Sequence, residues 1–354
     1  YEDEQFPRVR FSFPSLSILP AKLQFLFVFA CSLHSIVKRL LRDGKPKFIS
    51  AHGLSEQAIA YILKLLFKIP YMVHVHEIVE WKELSPFNRL LYLFERCALQ
   101  NAEFLIFPEK ERAAIYKRRY DLQVPIHIVY NCPRLGLAGS KIDLRAKYKL
   151  PKDSFIMTYI GGIGSANALE FGIEALKEFP SVYFFIWGFG AKKNIAQLRE
   201  LAKKLGVSDR VLGLEQLSEN KWAHLSGADL AYCVYRRSDL RTEHLATASN
   251  KMTENIAMGV PVLVNDGEDF KGFVHSNKIG ISLKEMSANG VKTALHWVLS
   301  HQKERVDMSS RERTLYCEEL HYEKQFTPLI GYYAGHFQLV KRKVVGKNEV
   351  KSGY

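Results

Sequence analysis

Ser249-Asn250-Lys251-Met252-Thr253-Glu254-Asn255-Ile256-Ala257-Met258-Gly259-Val260-Pro261-Val262 reads as a short helix delivered into a buried strand. Ser249 is a helix N-cap, because its hydroxyl can accept one of the orphan amides of the first turn. Residues 251–258 make two turns, Gly259 ends them, and Pro261 opens an apolar run. Glu254 then sits near the front of a helix whose first amides and dipole attract phosphate oxygens. A carboxylate one turn behind such an anion site can accept two hydrogen bonds from a ribose diol.

Upstream of this segment, short β-rich runs alternate with longer helical ones. Residues 47–53, 71–76, 104–107 and 126–130 read as strands, with helices over 55–67, 90–100 and 109–120 between them. Residues 131–154 break the pattern with two prolines, two glycines and many charges, and form the expected linker. The alternation restarts with strands at 155–160, 182–187, 210–213, 230–235 and 260–264, separated by helices at 169–179, 194–205, 220–225 and 251–258. Residues 289–300 and 322–337 are helical. Repeated strand–helix–strand units imply parallel, doubly wound sheets, here two Rossmann-like halves with a cleft between their carboxyl ends.

The 354 residues suit two domains, and the ordinary globular composition excludes disordered, collagen-like and disulfide-scaffold classes. Five scattered cysteines without a C-x-x-C favour a reducing compartment over a structural zinc site. The net charge of +13 is uneven: residues 1–150 carry +9, residues 151–330 carry 0 and residues 331–354 carry +4. That distribution offers one basic face to an anionic partner, a lipid surface or a charged substrate, beside the plainer reading of solubility. Residues 23–37 are the nearest approach to a membrane span, but 15 residues fit a buried helix better. His74 and His76 share one face of a strand and could ligate a metal, yet no third ligand stands at a suggestive spacing, so no metal is expected. D-x-D, the phosphate-loop motif and G-x-G-x-x-G do not occur, which sets aside the usual metal-dependent sugar transferases, kinases and dehydrogenases.

The run from Asn250 and Lys251 through Glu254, Ala257 and Gly259 to Pro261-Val262 resembles the donor-site signature of the GT-B glycosyltransferases of family 4, the retaining group 1 enzymes. Tyr159-Ile160-Gly161-Gly162-Ile163-Gly164 is similar to that family's first strand and glycine turn in the C-terminal domain. Phe184-Phe185-Ile186-Trp187-Gly188-Phe189-Gly190 is similar to its hydrophobic strand followed by G-x-G. Asp209-Arg210-Val211 and Ala228-Asp229-Leu230 fall in the family's order, so the resemblance covers roughly residues 45–337. It implies a GT-B fold in which a C-terminal helix crosses back to the N-domain. The expected parts are an acceptor-side domain over 1–140 without its usual first strand and glycine loop, a nucleotide-sugar domain over 151–320, a crossover helix over 321–340 and a basic, disordered tail over 341–354. Because the chain opens at Tyr1 rather than Met, that missing loop is expected to lie upstream of it.

Carried over by position, Glu254 grips the ribose, the main chain of Ser249, Asn250 and Lys251 faces the diphosphate, and Leu214 lies beside the base. Gly161, Gly162, Gly164, Asn167, Gly188 and Gly190 complete the donor site, and His76 stands next to the transferred sugar. The chain departs from the family at Ala246, where a first glutamate is usual, and at Gly162 and Asn167, where cations usually hold the diphosphate. Lys251 is the first candidate to replace them, with Arg236, Arg237 and Arg241 behind it, because charge developing on a leaving diphosphate needs a cation or donors aimed at it. The resemblance implies a retaining, metal-independent hexosyltransferase of cell-surface polysaccharide synthesis, using a nucleotide sugar as substrate and no cofactor. A saccharide or lipid-linked acceptor, an anionic membrane surface, no nucleic acid, and a cytoplasmic position on the inner face of the membrane complete the expectation. The alternative is a non-catalytic GT-B scaffold acting as a partner subunit.

Overall fold

The structure, a computed structural model, describes residues 21–81, 84, 86–136, 141–217 and 220–337. The segment before Ala21 and the basic tail expected over 341–354 lie outside the described residues. The chain forms two compact units, Tyr1–Ile128 and Val129–Tyr354.

The first unit runs α1 (Ala21–Asp43), β1 (Ile49–Ala51), α2 (Leu54–Phe67), β2 (Tyr71–His74), α3 (Pro86–Gln100), β3 (Leu105–Phe107), α4 (Lys110–Tyr120) and β4 (Ile126–Ile128). Its four strands are parallel and lie in chain order, with Ala51 registered against Val73 and Val73 against Leu105. Tyr71, Val73, Leu105, Ile106 and Phe107 are fully buried, as strands covered on both faces require. The expectation of a buried helix over 23–37 fails in part. The segment is helical, but none of the described residues of α1 is fully buried, and Leu26 and Phe27 are 48% and 43% exposed. Among the described residues no helix is long and apolar enough to cross a membrane.

The second unit runs α5 (Leu144–Lys147), β5 (Phe155–Ile163), α6 (Leu169–Ala175), β6 (Val182–Gly190), α7 (Lys192–Lys204), β7 (Val211–Glu215), α8 (Lys221–Leu225) and β8 (Leu230–Cys233). It continues with α9 (Leu240–Glu243), α10 (Asn250–Met258), β9 (Val262–Val264), α11 (Glu268–Asn277), β10 (Gly280–Ser282), α12 (Ala288–Ser300), α13 (Gln302–Glu318) and α14 (Tyr322–Phe337). The six strands are parallel in the order β10-β9-β8-β5-β6-β7. Alternate residues serve opposite faces: Met157, Tyr159, Phe184, Ile186 and Tyr232 enter one apolar cluster, whereas Ile156, Phe185 and Trp187 enter another. Strand order reverses between β5 and β8. Such a switch point opens a crevice beyond the carboxyl ends of the two strands, and ligands of doubly wound sheets bind there.

Residues 131–135, inside the expected linker, are structurally part of this second unit. Asn131 donates from its amide to Thr247 O (3.0 Å) and from its side chain to Ala248 O (2.8 Å). The Tyr322 amide donates to Pro133 O (2.9 Å), and the Leu135 amide to Glu323 Oε2 (2.9 Å).

Candidate functional site

The switch point is furnished by the carboxyl end of β5, the loop after β8 and the front of α10. Ser249 caps α10 as expected, accepting from the Met252 amide at 3.3 Å, and shares a 2.7 Å hydrogen bond with the Tyr235 hydroxyl. Tyr235 follows β8 by two residues, so this bond ties the front of α10 to the strand on the far side of the switch. Gly259 ends the helix at φ 67°, a left-handed conformation that glycine adopts without steric cost. Asn250 is exposed, the first residue of the helix.

Lys251 lies between two aromatic faces, its ammonium 4.0 Å from the Tyr159 ring centre and 4.5 Å from that of Tyr235. Its Nζ donates to Asn167 Oδ1 at 3.1 Å, and Asn167 Nδ2 donates to Gly162 O at 2.8 Å. The Tyr159 hydroxyl donates to the same carbonyl. Burial lowers the Lys251 ammonium to about 8, opposed by Cys233 and by the Glu254 carboxylate. A cation held this way is attracted by the ring faces but has no carboxylate bonded to it. The expected site residues Ser249, Lys251, Gly162 and Asn167 are therefore in one connected network.

Glu254 is already engaged: its Oε1 accepts from Lys221 Nζ at 2.7 Å, and the Lys221 ammonium also lies 4.4 Å from the Trp222 ring centre. Sequence reasoning gave Glu254 no protein partner, since nothing in the spacing of α8 and α10 along the chain announces the pair. Arg236, held in reserve as a phosphate cation, turns elsewhere. It donates from Nε to Ser165 O at 3.0 Å, pairs with Glu170 and lies over the Phe171 ring.

The glycines expected in a turn are strand residues. β5 continues to Ile163, and Gly161, Gly162 and Ile163 pair with Gly188, Phe189 and Gly190 of β6. A Cβ on Gly188 would lie 1.7 Å from Gly161 O, and one on Gly190 2.2 Å from Ile163 O, so these two glycines permit the close approach of the backbones. Gly162 is different: it is exposed, and a Cβ there would meet nothing within 4 Å. A Cβ on Gly161 would meet Lys251 Nζ at 3.2 Å, which explains why the lysine can lie along the strand end. Gly164 follows the strand and borders a cavity of about 210 Å³ shared with Ser165, Glu170 and Asn194. Leu214 is buried with φ 59°, in the bulge where the register of β6 and β7 shifts. A non-glycine residue in that conformation is uncommon and marks a site held by its surroundings; the Leu214 carbonyl accepts from Arg199 at 3.3 Å.

His76 belongs to the first unit, two residues beyond β2. It is accompanied by His74 and by His52, which sequence reasoning missed. His52 Nδ1 and His76 Nε2 are 3.1 Å apart, and the His74 and His76 ring centres are 3.9 Å apart. Burial pushes His74 down to about 3 and lowers His76, so both are neutral near pH 7. The Arg112 guanidinium, fully buried, holds the His76 carbonyl at 2.5 Å.

Comparison with known proteins agrees with this architecture. Residues 140–315 match the family described as glycosyl transferases group 1. The lipopolysaccharide core biosynthesis glycosyltransferase LpsE of Rhizobium meliloti is 24% identical over 167 residues, 47% of this chain and 46% of that protein. The D-inositol 3-phosphate glycosyltransferase of Mycolicibacterium smegmatis is 32% identical over 105 residues, 29% of this chain and 22% of that protein. The matches thus span less than half the length of either curated relative. Among solved structures, sucrose-phosphate synthase from Thermosynechococcus elongatus superposes with TM-score 0.74 at 17% identity, over 93% of this chain and 83% of that one. HepE from Anabaena in complex with UDP superposes with TM-score 0.72 at 13% identity, over 86% and 82%. These likenesses show the fold, and the family match lies within the second unit: the chain has the two parallel-sheet units of the GT-B fold, and its second unit belongs to the glycosyl transferases group 1.

Proposed function

We propose that this protein is a retaining glycosyltransferase that moves a hexose from a nucleotide sugar to a saccharide or lipid-linked acceptor in cell-surface polysaccharide synthesis. The observation that carries the reading is Lys251: a cation largely withdrawn from water, unpaired by any carboxylate bond, at the front of α10 and beside the exposed main chain of Gly162. A lysine at a helix N-terminus faces the positive end of the dipole, and an anion between them removes that conflict. In the proposed step the bond from the anomeric carbon to the diphosphate oxygen breaks, and Lys251 with the first amides of α10 takes up the developing charge. The acceptor oxygen bonds to the same face of the anomeric carbon, and its proton passes to the departing diphosphate. No metal is assigned to this step. Glu254 is proposed to accept from the ribose, Leu214 to flank the base, and His76 to contact the transferred sugar.

That HepE has been solved with UDP, with UDP and glucose, and with UDP-glucose supports UDP sugars as the first donors to test. The role of LpsE in lipopolysaccharide core biosynthesis supports the acceptor class. Association of the protein with the inner face of the membrane is part of the same proposal. The test is release of UDP from a panel of UDP sugars by the purified protein, with the anomeric configuration of any product read by NMR. Slow, saturable release of UDP is expected and, with an alcohol or saccharide acceptor present, a glycoside of unchanged anomeric configuration; an inverted glycoside overturns the retaining step. The Lys221–Glu254 pair favours a second reading, a scaffold that no longer grips ribose, and failure to bind any nucleotide would select it.

A further inference from the structure

The first unit brings together three imidazoles that the proposed transfer step does not need as a set. His52 stands one residue past β1, His74 ends β2, and His76 lies on the same face two residues later. Parallel register of Ala51 against Val73 sets the carboxyl ends of these neighbouring strands side by side. One ring nitrogen from each histidine lies within 4.8 Å of the other two, and no other trio of histidine, cysteine or carboxylate side chains converges in this way among the described residues.

We propose that His52, His74 and His76 bind one divalent transition-metal ion of the zinc class, leaving a fourth coordination position open. Tetrahedral zinc with ligand bonds of about 2.0–2.1 Å requires nitrogens about 3.4 Å apart. The His52–His76 separation of 3.1 Å is already close to this, and the widest pair closes by rotation of exposed or half-exposed rings. Two further features favour the ion over a mere hydrogen-bonded chain. His74 Nε2 is buried and has no hydrogen-bond partner, a cost that a ligand bond would remove. Ser50 Oγ lies 2.7 Å from His52 Nε2 and directs its own hydrogen to Met72 Sδ at 3.8 Å, so it accepts from His52 Nε2–H and leaves the Nδ1 lone pair turned toward the trio.

Occupancy would engage His76, so zinc would act against sugar transfer rather than in it. That consequence rests on the proposed function; metal binding does not, and is tested alone. Untagged, chelator-treated protein is titrated with Co²⁺ and followed by visible absorption, and then with Zn²⁺ by calorimetry. One equivalent per chain with tetrahedral d–d bands, displaced by Zn²⁺, is expected. His74→Asn and His52→Gln should each weaken binding at least about tenfold. His52 is exposed, so His52→Gln keeps the fold, which circular dichroism checks. Absence of the bands in the wild type overturns the proposal, and so does one-equivalent binding that survives both replacements.

Discussion

Lys251 Nζ donates to Asn167 Oδ1 across 3.1 Å, joining the front of α10 to the turn after β5. The partner is a neutral amide. It orients the ammonium without cancelling its charge, so the field of Lys251 remains available to an anion in the crevice.

Lys251→Met should therefore leave the thermal stability of the nucleotide-free protein unchanged or slightly raised, since a desolvated cation is removed. The stabilisation that added UDP gives by mass action should largely disappear. Thermal unfolding with and without UDP measures both. Lower stability of the free variant with a wild-type UDP shift would make Lys251 a structural residue.

A buried ammonium lowered to about 8 also gives UDP binding a pH dependence. Between pH 8 and the ordinary lysine range the unfolded chain holds a proton that the folded one has lost, so stability of the free protein rises with pH there. Diphosphate binding goes the other way, because the cation is present below about pH 8 and lost above it. Calorimetry should find UDP affinity about tenfold weaker at pH 9 than at pH 7, and no such fall in Lys251→Met.

The Lys221–Glu254 pair separates ribose binding from mere ion pairing. Glu254→Ala is expected to cost UDP affinity on the order of 2 kcal/mol, the loss of a charged acceptor. Lys221→Ala frees the carboxylate and should leave affinity equal or improved. Equal losses in both variants would place Lys221 on the nucleotide as well.

The two strand-end glycines of β6 should be far less tolerant than Gly162. Gly188→Ala puts a methyl group into the Gly161 carbonyl and is expected to cost roughly 3 kcal/mol or more of stability. Gly162→Ala meets nothing and should fall within about 0.5 kcal/mol of the wild type. Urea titration of both variants gives the comparison.

Binding to anionic vesicles should weaken steeply with salt, because exposed charges are screened over about 8 Å at physiological ionic strength. Co-sedimentation at low and high salt tests this. Equal pelleting with neutral lipid would point instead to the exposed Leu26 and Phe27 of α1.

The parallel sheets were legible because β5 and β6, buried on both faces, read as continuous hydrophobic runs separated by helical segments. The α10 signature was legible because cap, helix and stop residues all agree. β10 was not, being three residues long, Gly280-Ile281-Ser282, and neither was α11, which buries only Phe270 and Val274. His52 escaped notice because its neighbours come from the next strand, twenty-four residues away. The signal was there in retrospect: two consecutive parallel strands, each ending in histidine, must present those ends together. The Lys221–Glu254 contact had no such signal, since it depends on how α8 and α10 pack.

The stitching of residues 129–135 sets where the second unit can be separated from the first. Tyr130, Asn131, Pro133, Arg134 and Leu135 together make six hydrogen bonds to residues 247–325. A fragment begun at 141, after the whole proline- and glycine-rich stretch, would lose them all and bare the loop leading into α10. Begun at Val129 it keeps them, so only the earlier start yields the second unit with the bonds that hold the loop before α10 intact.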